Sequence, residues 1–221
     1  MTSLCYVELA KMLNTPKIAG SFLSKENLLL TIAAGGASGI GFLYDDYSLI
    51  LGSMLISPLE NTIVQSMLSI LLGNKMGSIN GLLSLTFLGI FTIGIGFLIG
   101  EVNNYFNNYY ITPSENMKKI TSDQFLLTNF FIGVLCGFFM SYATITKNIA
   151  VLHGLSIIIF ILPPLVNSGI YASLARYNKV KNNELYLEYK KNSMNSFKIS
   201  LSNICGLGVG LLLGFLVFCP N

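Results

Sequence analysis

Long apolar runs separated by short polar clusters make up most of this chain. Six such segments can be drawn, over about residues 27–43, 47–73, 79–100, 124–144, 149–174 and 197–218. A helix needs roughly 20 apolar residues to cross a hydrocarbon layer, so the first segment is marginal in length and the others suffice. Main-chain groups in lipid must be bonded within the spanning structure, and these segments are too long for barrel strands, which would also need polar–apolar alternation. The pattern therefore predicts an all-α integral membrane fold of about six transmembrane helices. Residues 1–26 are expected to form a short interfacial segment, because Glu8, Lys11, Pro16 and Lys17 interrupt any signal-like apolar run. Residues 27–218 then form a single transmembrane domain with halves 27–100 and 124–218.

Composition strengthens this reading. Hydrophobic residues are 52% of the 221, charged residues only 10%, and mean hydropathy is +0.65. Soluble domains carry roughly a quarter of their residues as Asp, Glu, Lys and Arg. The expected solvent for most of the chain is thus the lipid bilayer, in a multi-pass arrangement. A net charge of +3 is too small and dispersed for a nucleic-acid footprint. The loop of residues 176–198 holds six of the thirteen Lys and Arg, and its stretch 182–191 is charged enough to leave the membrane, as a helical extension of a flanking span. That bias puts the basic loop in the cytoplasm and both termini outside, while Lys11, Lys17 and Lys25 point the other way. Tyr105, Tyr109 and Tyr110 read as interfacial anchors.

The second and fifth segments are each interrupted by proline, at Ser57-Pro58 and at Pro163-Pro164. Aligning the breaks matches Pro58-Leu59-Glu60-Asn61-Thr62 with Pro164-Leu165-Val166-Asn167-Ser168, a shared P-L-x-N-[ST] pattern. The third segments of both halves also carry an Asn among small residues, at Asn80-Gly81 and at Asn203 near Gly206. Three spans per half imply opposite insertion, a 3+3 inverted repeat with broken middle helices, which is a recurring plan of secondary transporters. Proline removes a donor and frees carbonyls that lipid cannot satisfy. Small polar side chains beside the breaks can supply partners, and half-helix ends can hold ions or polar solutes. A substrate- or ion-binding site is accordingly expected from Ser57, Pro58, Glu60, Asn61, Thr62, Pro163, Pro164, Asn167 and Ser168. The competing reading is a pair of kinks packed by their neighbours.

Leu30-Thr31-Ile32-Ala33-Ala34, followed by Leu51-Gly52-Ser53-Met54-Leu55-Ile56-Ser57-Pro58-Leu59, resembles the signature of the domain-of-unknown-function 389 family of multi-pass membrane proteins. Gly154, Leu162-Pro163-Pro164-Leu165 and Gly169-Ile170 fit the same family, as does Glu115 four residues before Lys119. The resemblance extends over about residues 25–218 and implies the membrane fold. It implies no activity, since the family's is unassigned. Thr62, Glu60 and His153 depart from its usual residues.

Glu60 is expected at membrane depth, where a carboxylate costs a few kcal/mol unless it faces a cavity, pairs or protonates. It is read either as a proton or cation site or as a carboxyl hydrogen-bonded to Ser57, Asn61 or a neighbouring helix. His153, the single histidine, is more often a packed residue than a ligand. Cys5, Cys136, Cys205 and Cys219 show no ligand spacing, and neither a disulfide framework, a metal nor a cofactor is expected. Glycines spaced by four, at Gly35/Gly39, Gly96/Gly100, Gly133/Gly137 and Gly206/Gly210/Gly214, let helices approach closely, within the bundle or in a homo-oligomer. No paired nucleophile and base is present, so an enzyme is not expected. The leading reading is a carrier or channel for a small solute or ion; the rival is a non-transporting membrane scaffold.

Overall fold

A computed structural model describes residues 24–107, 112–122, 126–179 and 182–219. Among the described residues it consists of nine helices and no strand. They are α1 (Lys25–Leu43), α2 (Tyr47–Ile56), α3 (Leu59–Leu71), α4 (Lys75–Asn107), α5 (Glu115–Lys119), α6 (Leu126–Ile145), α7 (Ile149–Ile158), α8 (Leu162–Asn178) and α9 (Asn183–Phe218). Most of the expected interfacial segment 1–26, together with Tyr109 and Tyr110, lies outside the described residues. Tyr105 is strongly exposed near the end of α4, as an anchor would be.

Five stretches are long and apolar enough to cross a membrane: Lys25–Leu43, Lys75–Phe106, Leu126–Ile145, Ile149–Asn178 and Asn183–Phe218. The expected sixth is not a continuous span. Ser57-Pro58 divides it into helices of 10 and 13 residues, each shorter than a bilayer crossing. The long stretches also outrun their apolar cores. α9 starts at Asn183 because Asn182 accepts hydrogen bonds from the Glu184 and Leu185 amides (3.0 and 3.2 Å), and no Gly or Pro interrupts the chain before Gly206. The charged stretch after residue 182 is thus a helical extension of the last span.

Two turns share one construction. Asp45 and Lys147 both adopt left-handed backbone angles (φ 57° and 55°), and each is followed by an Asx cap, Asp46 or Asn148. The cap residues' amides reach back to the Gly41 and Ala143 carbonyls at 2.8 and 2.9 Å. Each turn leads into a ten-residue helix that ends at a break.

Helix packing follows the small residues. A Cβ at Gly35 would meet Ile95 and one at Gly39 would meet Ile99, so α1 and α4 run parallel. Gly77 faces Ser69 and Gly81 faces Ser66, which sets α3 antiparallel to α4. Gly133 and Gly137 of α6 abut the α9 main chain around Asn203–Leu207 and Leu207–Leu211, while Gly206 and Gly210 abut Phe130 and Val134. α4 and α8 cross where Gly96 meets the Val166 main chain and Gly169 meets Ile93. The glycine motifs therefore serve contacts inside one chain. α8 lies at the centre, with fourteen of its seventeen residues buried. Cys136 and Cys205 are free thiols, whereas Cys219 is disulfide-bonded.

The α4–α8 crossing gives a clean test. Gly96→Val would drive methyl groups into the Val166 backbone, whereas a Cβ at Gly94, two residues away, meets nothing within 4 Å. Overpacking costs about 1–3 kcal/mol. Gly96→Val should therefore lower the thermal midpoint of the detergent-solubilised protein by several degrees, with Gly94→Val nearly unchanged, as read by tryptophan-free calorimetry or aggregation-based melting.

Candidate functional site

The two breaks handle their main-chain groups in different ways. At the first, the partners are local: Ser57 Oγ accepts from the Leu59 amide (3.3 Å), and Thr62 Oγ1 donates to the Pro58 carbonyl (2.9 Å). At the second, Phe160 is left-handed (φ 46°), and the carbonyls that open there are taken by the neighbouring helix. Asn203 Nδ2 donates to the Phe160 carbonyl and Ser200 Oγ to the Ile161 carbonyl, both at 3.0 Å. The partners at this break are thus not the flanking Asn167 and Ser168 that sequence spacing suggested. Asn167 Nδ2 instead donates to the Met117 carbonyl (3.1 Å) and Ser196 Oγ (3.0 Å), and Ser168 Oγ lies 3.3 Å from Ser193 Oγ. Nor are the two third-segment asparagines equivalent, because Asn203 serves a break whereas Asn80 precedes Gly81, which faces Ser66 well inside α3.

A cavity of about 330 Å³ lies between the first break, the C-terminal part of α6 and one side of α7. It is lined by Ser57, Glu60, Asn61 and Gln65 from the broken segment, by Met140 and Thr144 from α6, and by Leu152, His153 and Ser156 from α7. That is well above the roughly 10–15 Å³ that one water needs, so water can enter it. Of the nine residues expected to form a site, it gathers Ser57, Glu60 and Asn61. Pro58 and Thr62 belong to the same break without lining the cavity, and Pro163, Pro164, Asn167 and Ser168 are buried elsewhere, within α8. The two proline flanks are not brought to one shared space. The reason is enclosure: α8 is wrapped by α1, α4 and α9, so its polar side chains bond inward.

Glu60 is the distinctive group. It sits in the first turn of α3, is 3% exposed, and its Oε1 is buried with no hydrogen-bond partner. Its position favours negative charge, since the start of a helix carries partial positive charge and free amides. No Lys or Arg lines the cavity, so Glu60 has no fixed cation beside it there. A buried carboxylate without a partner is costly, so the group calls for a bound cation, a proton or water. His153, from which little was expected, is exposed on α7 and lines the same cavity. Gln65, Thr144 and Ser156 were missed. Glu60, Asn61, Val64, Gln65 and Leu68 follow helical spacing, so a stripe on α3 was available in the sequence, whereas the α6 and α7 contributions depend on tertiary packing.

The sequence profile described as Domain of unknown function (DUF389) matches residues 54–217. The chain belongs to this family. The match opens within the Met54–Leu59 motif at the first break and runs to the end of α9, so α1 lies outside it although the resemblance was expected from residue 25. No curated protein and no solved structure matches the chain. DUF389 membership and the five long apolar helices fit a multi-pass membrane protein; the family description names no activity.

The second break of this DUF389 chain can be tested through Asn203. Asn203→Ala strips the partner from a carbonyl held in a left-handed turn, and an unsatisfied buried group costs about 1–3 kcal/mol. Thermal melting should register that loss, while Asn61→Ala, at an exposed cavity position, should stay within about 0.5 kcal/mol of the wild type.

Proposed function

We propose that this protein spans the membrane as two inverted modules, α1–α4 and α6–α9, and carries a small solute or ion through the cavity beside the first break. The observation that carries the reading is the partnerless, buried Glu60 carboxyl oxygen at the edge of a cavity that also presents Ser57, Asn61, Gln65 and Thr144. Support for the inverted plan comes from paired features: the matching left-handed turns, the ten-residue half-helices α2 and α7, and the parallel packing of α1 on α4 and of α6 on α9. In that plan α2–α3 serves as a sixth, broken crossing. The polar side chains set in the largely apolar cavity wall suit a species that sheds part of its water and exchanges it for hydroxyl, amide and carboxyl oxygens. Glu60 is the coupling group, alternating between a proton and the transported cation.

The second reading is a non-transporting scaffold. It draws on the second break, where Asn203 and Ser200 occupy the freed carbonyls and leave nothing for a solute.

Proteoliposomes loaded with a pH-sensitive dye and challenged with a panel of monovalent cations separate these readings. Wild-type vesicles should show flux above empty vesicles, and Glu60→Gln should lower it at least about tenfold and flatten its pH dependence, as expected of an ionisable intramembrane site. Flux that survives Glu60→Gln with its rate and pH profile intact rules out the cavity as the route. No flux across the panel favours the scaffold.

A further inference from the structure

At the far end of α8, away from the cavity, a second recess of about 320 Å³ opens between α8 and the start of α9. Arg176 lines it from α8, Lys179 from the C-cap of that helix and Lys190 from α9, and among the described residues no carboxylate does. Its floor is small and apolar, at Ala172 and Ala175. Two of the three cations are steadied, Arg176 from outside the recess and Lys190 by Tyr186 of its own wall. The Arg176 guanidinium lies 5.9 Å over the Phe97 ring and 4.0 Å from the Glu101 carboxylate, which Ser173 Oγ also holds at 3.1 Å. Lys190 Nζ sits 5.9 Å over the Tyr186 ring.

Depth matters as much as charge. From Pro163 to Arg176 is thirteen residues of helix, about 20 Å at 1.5 Å per residue. With the break near the middle of a hydrocarbon layer about 30 Å thick, the recess falls at the level of the lipid headgroups. Exposed aromatic side chains at Tyr105, Phe106 and Tyr177 mark the same end of the bundle, as in an interfacial belt. Basic recesses between helices at that level suit phosphate headgroups. Arginine contributes a planar pair of donors for phosphate oxygens and lysine a mobile point charge.

We infer that the recess formed by Arg176, Lys179 and Lys190 binds a phosphate-bearing anion, with its apolar floor admitting the glycerol end of an anionic phospholipid. The inference rests on the membrane-spanning reading but not on transport, and its test involves no flux. The purified full-length chain in mild detergent is titrated with phosphatidylglycerol, phosphatidylcholine or inorganic phosphate, and retention is read by native mass spectrometry and thermal shift. Phosphatidylglycerol should be retained over phosphatidylcholine. At about fivefold per basic residue near a membrane surface, Arg176→Gln/Lys179→Gln/Lys190→Gln should weaken retention about a hundredfold. Lys118→Gln/Lys119→Gln, which removes exposed charges outside the recess, should leave it within about twofold. Thermal stabilisation by inorganic phosphate alone, lost in the same triple variant, with no preference between the two lipids, assigns the site to a free anion instead. Equal retention of both lipids by wild type and triple variant, with no response to phosphate, overturns the proposal. Should the triple variant misfold, exposed Lys190→Gln alone serves the same comparison, and unchanged retention there also counts against the recess.

Discussion

A main-chain carbonyl or amide that cannot bond within its own helix has no alternative partner in hydrocarbon, and the architecture of this chain is organised around that constraint. Unbroken helices meet it internally. The two interrupted segments cannot, and each is completed by hydroxyl and amide side chains at hydrogen-bond distance from the break. The first break is completed by residues within two to four positions along the chain. The second borrows Ser200 and Asn203 from α9, about forty residues later, and thereby pins α8 to that helix.

Close helix approach makes this borrowing feasible. Ser200 and Asn203 reach these carbonyls across the packed α8–α9 pair, while the glycines seat α9 on α6 and α8 on α4. The same closeness encloses α8 almost completely, so its polar residues become internal fasteners. α7, by contrast, has no buried residue, and its side chains are free to wall the cavity opposite the first break. An unequal distribution of burial between two similar half-helix pairs thus produces one dry break and one open one.

Among the buried side-chain atoms left without a partner in the described residues, Glu60 supplies the one carboxyl oxygen. Ser57, Thr62, Asn167 and Asn203 each make a hydrogen bond around the breaks, although the amide oxygens of Asn167 and Asn203 are also buried without a partner. A buried, unpaired carboxyl oxygen beside a cavity roomy enough for water is the feature on which the functional reading rests.

The helical class, the lipid-compatible composition, the family and the unusual character of Glu60 follow from the sequence alone, whereas the second interruption falls at Ile159–Ile161, ahead of the expected Pro163-Pro164. The former depend on local properties: run length, and the cost of a charge among apolar neighbours. The sequence also held the Asp46 and Asn148 caps, whose equivalence emerged only once the turn geometries were compared. Tertiary structure decided which face of each half-helix looks into a cavity and which looks into a neighbour. The P-L-x-N-[ST] pattern is alike in both copies, yet Asn61 lines open space while Asn167 is bonded to Met117 and Ser196. That outcome turns on how helices distant in sequence pack around each copy, and a motif of five residues contains no information about its neighbours' rotation.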